Sequence, residues 1–431
     1  MSDSSDQSDL SDNDHIKEYN MIENKGITRR DFLKTTGMTV AGMALVPGLV
    51  YGGENKVVDP TKKLRIGIVG GGFGTSFQWH EHPNCVVEAV SDLRPERLQL
   101  LKDVYKCDKG YESLEKLILD KNIDAVAVFT GAPDHARHDI ACLKAGKHVI
   151  SAVPACMTLE EAEELEEMVR KTGLKYMMAE TSYFHQSVIS ARNWFKEGKF
   201  GEIYYTEAEY HHPGLEVLFH ENGKPTWRHG LPPMNYPTHC TGYLVGVTKE
   251  RMTQVTCTGW GDDSEKLKNN QYNNPFWNET AMFTTDKGHS FRVGVYWKAP
   301  VGGCERGQWY GTKMSFFDPS ENGQGPVIRR PSDIEEKDDA GFVRKLSAFE
   351  QYDQPKWWKT SMLPEPLRHE SGHDGSHCFI TNEFVTALLE DRMPKVSIYE
   401  ALAMTVPGIV AHKSALEGGK SLKIPCFDRK A

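Results

Sequence analysis

Several things are missing from this chain. It has no CxxC pair and no HExxH, and no third ligand stands near the two histidines of WHEHP, His80 and His82. Its nine cysteines stand singly, at 85, 107, 142, 156, 240, 257, 304, 378 and 426. That scatter argues against a zinc knuckle or a thioredoxin-type redox motif and reads as mostly buried thiols, with one disulfide left open. No metal site is expected. Past the N-terminal leader, no apolar run approaches the roughly 18 residues of a membrane span. Basic residues are outnumbered, 51 Lys and Arg against 60 Asp and Glu, for a net charge of −9. Without a basic stripe, a nucleic-acid partner is not expected. What remains is a chain of 431 residues, 39% hydrophobic, long enough for two domains with sizeable cores.

The first 25 residues are rich in Ser and Asp and poor in apolar side chains, and are predicted to be disordered. Residues 26–53 carry Arg29-Arg30, then Phe32-Leu33-Lys34, then a weakly apolar stretch of small residues. This is the pattern of a twin-arginine export signal. The expectation is an exported, periplasmic or otherwise extracytoplasmic protein whose first partner is the twin-arginine machinery.

Short apolar runs at 64–69, 86–91, 125–129, 147–151 and 175–179 alternate with helical patterns at 94–104, 111–119, 136–145 and 159–172. Alternation of this kind predicts an α/β Rossmann domain, a doubly wound parallel sheet, over 60–182. Beyond about residue 200 the chain becomes β-rich, and Asp286-Lys287-Gly288 marks a hairpin. Two helices, at 376–390 and 397–416, close the chain, whereas 318–370 reads as long loops. The prediction for 183–425 is an α+β substrate domain with a large, mostly antiparallel open sheet and C-terminal helices. Open sheets of this size often pair between subunits, so a homo-oligomer is expected.

IGIVGGGFGT places Gly70, Gly72 and Thr75 at the three positions of G-x-G-x-x-G, with Phe73 and Gly74 between them. The first glycine permits the tight turn and the second a close backbone approach to a pyrophosphate at a helix N-terminus. Asp92 ends the next strand, where a carboxylate accepts hydrogen bonds from ribose hydroxyls and disfavours a 2′-phosphate. The cofactor is therefore read as NAD, with NADP kept open by Arg94 and Arg97. Thr130, Pro133 and His135 of FTGAPDHARH are expected along the ribose and nicotinamide side. An exported enzyme has no cytoplasmic NAD pool, so the cofactor is expected to be tightly bound.

FTGAPDHARHDIACLKAGKHV, followed by a proline, resembles the Gfo/Idh/MocA family of sugar-active oxidoreductases, and the resemblance runs over roughly 62–425. It implies a Rossmann domain facing an open-sheet domain, with the active site between them and Pro154 beside the cofactor. In typical dehydrogenases of the family a Glu-Lys-Pro follows GKHV; here Ala152 and Val153 replace the first two. The usual Asp four residues before a catalytic His is Asn235 before His239. VPA, YPTH and MMAETSYF are similar instead to the NAD-dependent glycosidases of family 109, although the residue before VPA, commonly Glu there, is Ala152. That similarity implies a catalytic role for Tyr183.

With no lysine at 153, proton chemistry falls to His239, whose unperturbed pKa suits transfer near neutrality. Tyr183 and Tyr236 are candidates for removing a C2 proton. Asn235, Trp227, Arg228 and His377 are candidates for holding the sugar, while His211-His212 are read as more often structural. Three functions stay open. The first is a glycoside hydrolase with no net redox change, working by oxidation at C3, elimination, hydration and re-reduction. The second is a net NAD(P)-dependent sugar or polyol dehydrogenase or reductase. The third is a non-catalytic NAD-binding sugar sensor.

Overall fold

The computed structural model describes residues 61–300, 304–319 and 325–428. The acidic N-terminus and the twin-arginine segment lie outside these residues.

The N-terminal part is one parallel sheet. Its strands are β1 (Leu64–Val69), β2 (Cys85–Ser91), β3 (Gly110–Tyr111), β4 (Ala125–Val128), β5 (His148–Ser151) and β6 (Tyr176–Met178), in the order β3-β2-β1-β4-β5-β6. Four helices accompany them, α1 (Pro95–Tyr105), α2 (Leu114–Leu117), α3 (His135–Lys144) and α4 (Leu159–Thr172). β4 is buried at every position, as a strand covered on both faces must be. α4 starts where the Thr158 side chain accepts from Glu161 N and stops at Gly173, φ 66°. Ligands of such sheets bind where the strand order reverses, here beyond the C-terminal ends of β1 and β4.

A helix α5 (Gln186–Lys196) leads into the second part. It holds β7 (Ile203–His211), β8 (His220–Glu221), β9 (Lys224–Pro225), α6 (Thr238–Thr248), β10 (Met252–Trp260), β11 (Asn278–Thr285), β12 (Ser290–Tyr296), β13 (Cys304–Gly311), β14 (Ser315–Asp318), β15 (Val327–Lys337), β16 (Val343–Gln351), α7 (Gly372–Leu389), α8 (Ile398–Leu416) and β17 (Leu422–Lys423). Nine of these strands form one sheet, β16-β15-β14-β13-β7-β12-β11-β10-β17, antiparallel except for β7 against β12. The 286–288 turn joins β11 to β12 as expected. α8 packs on β10 of this sheet and also on α4 and β6 of the first. The large sheet is thereby fixed to the Rossmann part by a shared apolar core.

Three expectations need correction. The glycine loop is followed by a single 3₁₀ turn, Phe73–Ser76, not by a long helix. Gly, Thr and Ser are weak helix formers and Pro83 closes the segment, so no helix propagates. Residues 111–119 contain only the short α2. The stretch 318–370 is not all loop, since β15 and β16 form a ribbon tied by Arg330–Glu350 (2.5 Å) and Arg344–Glu336 (2.8 Å). Both faces of the ribbon are wet, so its sequence shows no apolar–polar alternation to reveal the strands. All nine cysteines are free thiols.

Candidate active site

A cleft of about 900 Å³ opens at the β1/β4 switch point, and a smaller cavity of about 230 Å³ adjoins it. Phe73, Phe129, Thr130, Trp227 and Arg228 line both, so the two are successive parts of one groove.

The large cleft is built to receive a dinucleotide. Gly70 has φ +102°, and a Cβ there would meet the Phe129 carbonyl oxygen at 2.2 Å. Gly72, by contrast, faces open space, with only an Arg97 nitrogen at 3.8 Å. One glycine is thus required by the turn and the next leaves the backbone open to a ligand. Asp92 accepts from Gly71 N (2.6 Å) and Arg94 N (2.8 Å), one bond on each oxygen. Each oxygen keeps a lone pair for a ribose hydroxyl. Because only a 3₁₀ turn follows, a pyrophosphate would rely on the backbone cradle more than on a helix dipole. Thr130 lines the groove and its hydroxyl meets His138 Nδ1 at 2.9 Å. His135 lines the inner cavity between two carbonyl oxygens, Pro154 O at 2.8 Å and Thr130 O at 3.0 Å. Gly74, Pro133 and Pro154 are not among the lining residues: Gly74 packs under the Phe129 ring and Pro154 acts through its carbonyl.

In the inner cavity, Ala152 and Val153 occupy the wall where the sequence has no titratable group. Opposite them is His239, in the first turn of α6. Its Nδ1 donates to Glu180 Oε1 at 3.1 Å, and Glu305 Oε1 lies 3.8 Å away. Ser182 Oγ bridges the group, donating to Glu305 Oε2 at 2.6 Å. Glu180 is fully buried at the end of β6, and Glu305 comes from β13. Burial alone would lower the His239 pKa, but Glu180 and Glu305 outweigh it and raise it to about 9. Burial likewise opposes the charge on Glu180, and the His239 cation brings that carboxyl down to about 2. The ring also lies against Tyr210 (4.7 Å between centroids) and Tyr236 (5.3 Å), whose π faces suit a cation. His239 is therefore an imidazolium at neutral pH, not the resting base expected from an unperturbed imidazole.

Tyr236 lines the cavity, and burial pushes its pKa up to about 12, so it is a phenol and a proton donor. Trp227 and Arg228 reach the groove together, the guanidinium 4.0 Å from the indole centroid. Arg228 has no carboxylate partner among the described residues and is free to hold a sugar or phosphate oxygen. His212 also lines the cavity, whereas His211 turns to Glu209 at 3.0 Å. Burial, reinforced by the His239 charge, lowers the His212 pKa and keeps that ring neutral.

Three more expected residues are not brought to the groove. Tyr183 is buried behind it, its hydroxyl accepting from Lys249 Nζ at 2.8 Å and its ring under Arg192 at 4.1 Å. Burial resists ionisation there, but Arg192 and Lys249 pull the phenol pKa below its usual value. Asn235 sits in the 3₁₀ turn Pro233–Asn235, outside the cavity wall. His377 bonds Ser76 O (2.9 Å) and His373 (2.9 Å), stacks on Phe77, and stays one layer back. His373 itself lines the cavity. It is placed there by three successive left-handed residues, His373, Asp374 and Gly375 at φ 49°, 55° and 78°, ahead of the regular part of α7. Gln186 pins that turn, its N–H donating to Asp374 Oδ2 at 3.0 Å. HDG in front of a helix was the available signal for such a turn. Glu180 and Glu305 carried none, because nothing local in the chain pairs them with His239. His80 and His82 part company, His82 bonding Asn382 at 3.2 Å.

Residues 64–180 match the family model for oxidoreductases with an NAD-binding Rossmann fold, Gfo/Idh/MocA, and residues 333–431 match the glycosyl hydrolase 109 C-terminal domain. A glycosyl hydrolase family 109 protein of Solibacter usitatus is 25% identical, over 93% of this chain and 97% of its own length. The alpha-N-acetylgalactosaminidase of Tannerella forsythia is 24% identical, with the same 93% and 97% covered. Among solved structures, levoglucosan dehydrogenase with NADH and levoglucosan superposes with a TM-score of 0.68 at 18% identity, over 84% of this chain and 100% of that one. The apo scyllo-inositol dehydrogenase of Lactobacillus casei gives 0.61 at 16%, over 84% and 98%. These two likenesses speak for the fold. The NAD-binding part of the chain is thus similar to the Gfo/Idh/MocA oxidoreductases, and its C-terminal part to the glycosyl hydrolases 109.

Proposed function

We propose that this protein is an exported, NAD-dependent glycosidase that cleaves its substrate with no net redox change and keeps its cofactor between turnovers. The observation that carries the reading is the buried Glu180–His239–Glu305 group facing a cavity wall of Ala152 and Val153. Held by Gly70, Gly72 and Asp92, NAD would supply reversible hydride acceptance at a sugar carbon bearing a hydroxyl.

The side chains supply what such a cycle needs around the sugar. Oxidation of C3 to a ketone makes the neighbouring C2–H acidic. Removing that proton places negative charge on the C3 oxygen, and the group on C1 then leaves by elimination. The His239 imidazolium, in a buried site, is suited to hydrogen-bond and stabilise such an oxyanion. His212, neutral in the same cavity, is suited to accept a proton. Two imidazoles whose surroundings push their pKa values apart form an acid and a base in one site. Tyr236, a phenol, can protonate the departing oxygen. Water would add across C1 and C2, and return of the hydride to C3 and of a proton to its oxygen would close the cycle with no net redox change. Arg228 and the Trp227 face are placed to hold sugar oxygens and C–H groups.

The twin-arginine pattern supports export of a folded, loaded enzyme. Reaction in D₂O tests the elimination: one deuterium at C2 of the released sugar is expected, and protium alone would sink the route.

A further inference from the structure

The end of the cofactor cleft beyond Asp92 is closed by a residue from the other half of the protein. β8 and β9 form a two-residue hairpin whose turn, Asn222-Gly223, has φ 51° and 74°, the left-handed pair that a tight twisted hairpin demands. The base of the hairpin is anchored. Thr226 N donates to Phe219 O at 2.7 Å, and Phe219 stacks on Trp277 at 5.8 Å. A short hairpin held this way has little freedom to swing. It delivers Glu221 to Arg94, two residues past Asp92, in a paired contact: Nη1 to Oε1 at 2.7 Å and Nη2 to Oε2 at 2.5 Å. Arg97 is close enough to stabilise the Glu221 charge as well. Asp92, Arg94, Arg97, Glu221 and Lys224 all line this end of the cleft.

Both partners of the pair are nearly half exposed, 43% and 45%, and such pairs contribute little to folding. Their effect is on what the cleft can bind. A 2′-phosphate is recognised by a planar guanidinium donating two parallel bonds. In this chain that face of Arg94 is already taken by a carboxylate. Asp92 adds a second negative charge on the ribose side.

The geometry points to Glu221 as the residue that sets dinucleotide choice: by occupying the Nη1/Nη2 edge of Arg94 from across the cleft and adding its charge beside Arg97, it weakens the hold on a 2′-phosphate, so NAD is preferred over NADP. The inference rests on the NAD-binding reading of the cleft and is independent of the glycosidase chemistry.

The test is binding, read without turnover. Full-length protein stripped of nucleotide is titrated with NAD⁺ and with NADP⁺ by calorimetry, as wild type, Glu221→Gln and the double variant Arg94→Ala/Glu221→Gln. Wild type should prefer NAD⁺ by at least tenfold. Glu221→Gln should narrow the ratio about tenfold, through tighter NADP⁺ binding, and the double variant should lose that gain. An unchanged ratio in Glu221→Gln, with NAD⁺ still bound, overturns the role of Glu221 alone. Failure of wild type to bind either dinucleotide overturns the cofactor reading with it. Arg94 and Glu221 are both nearly half exposed and Glu221→Gln is isosteric, so the variants are expected to melt close to wild type.

Discussion

His239 shows how far a single side chain can depart from its reference chemistry. Its place at the cleft was legible in NYPTH, but its charge state was not. The charge depends on Glu180, 59 residues earlier, and Glu305, 66 residues later, and no spacing rule joins them. Glu180→Gln removes the nearer carboxylate, and the His239 pKa should fall from about 9 toward the ordinary 6.5, as followed by NMR of the ring. If the imidazolium is the working form, the alkaline limb of kcat moves to lower pH by a similar amount. The sign for stability follows from the same shift. His239 has a folded pKa above its unfolded 6.5, so the pair's contribution is complete below about pH 6.5 and is lost as pH rises through about 9. The missing lysine was legible as well, since Val153 lines the cavity in which the resemblance places it. Val153→Lys puts a titratable amine there. It should yield net NADH accumulation with a simple polyol and reduce glycoside cleavage; no change in either would remove position 153 from the argument.

At the level of elements, the strands of the first sheet and α4 were readable because burial on both faces and a capped apolar stripe leave strong local patterns. The helix that the glycine motif implies does not form because the residues after it, Gly, Thr and Ser, have weak helix propensity. The β15–β16 ribbon leaves no mark in the sequence because strands without a buried face lose their alternation. The left-handed turn ahead of α7 belongs to this scale too. It holds two non-glycine residues at positive φ beside the cleft, the kind of strain that persists where surrounding contacts enforce it. Gly375 permits the turn: φ is +78° and a Cβ would stand 2.4 Å from Trp358 Cδ1. Gly375→Ala should cost about 1–3 kcal/mol in urea unfolding, with loss of substrate binding as His373 shifts. A cost within the noise would show that the turn relaxes freely.

The whole molecule joins two sheets through one core, and that core contains a buried acid with no catalytic part. Asp139 on α3 is fully buried facing Ser151 and Tyr176, without a completed hydrogen bond, and burial raises its pKa well above the usual carboxyl value. Because the folded pKa is the higher one, stability is greatest while the group is protonated and falls as pH rises through the folded value. Asp139→Asn keeps the shape without the charge. Its melting temperature should decline less than that of wild type as pH rises above the ordinary carboxyl value of about 4; parallel declines would mean that Asp139 does not control this pH dependence.

The proteins this chain resembles include one named a glycosidase and one named a dehydrogenase, and the shared fold does not choose between those two chemistries. The distinction lies in the hydride balance over a full turnover. The full-length protein as purified, with no nucleotide added, is therefore to be incubated with a panel of glycosides while released aglycone and NADH absorbance are followed together. Many equivalents of aglycone per protein, with no accumulating NADH, are expected. NADH rising in step with an oxidised sugar, and activity that stops without added NAD⁺, would contradict it.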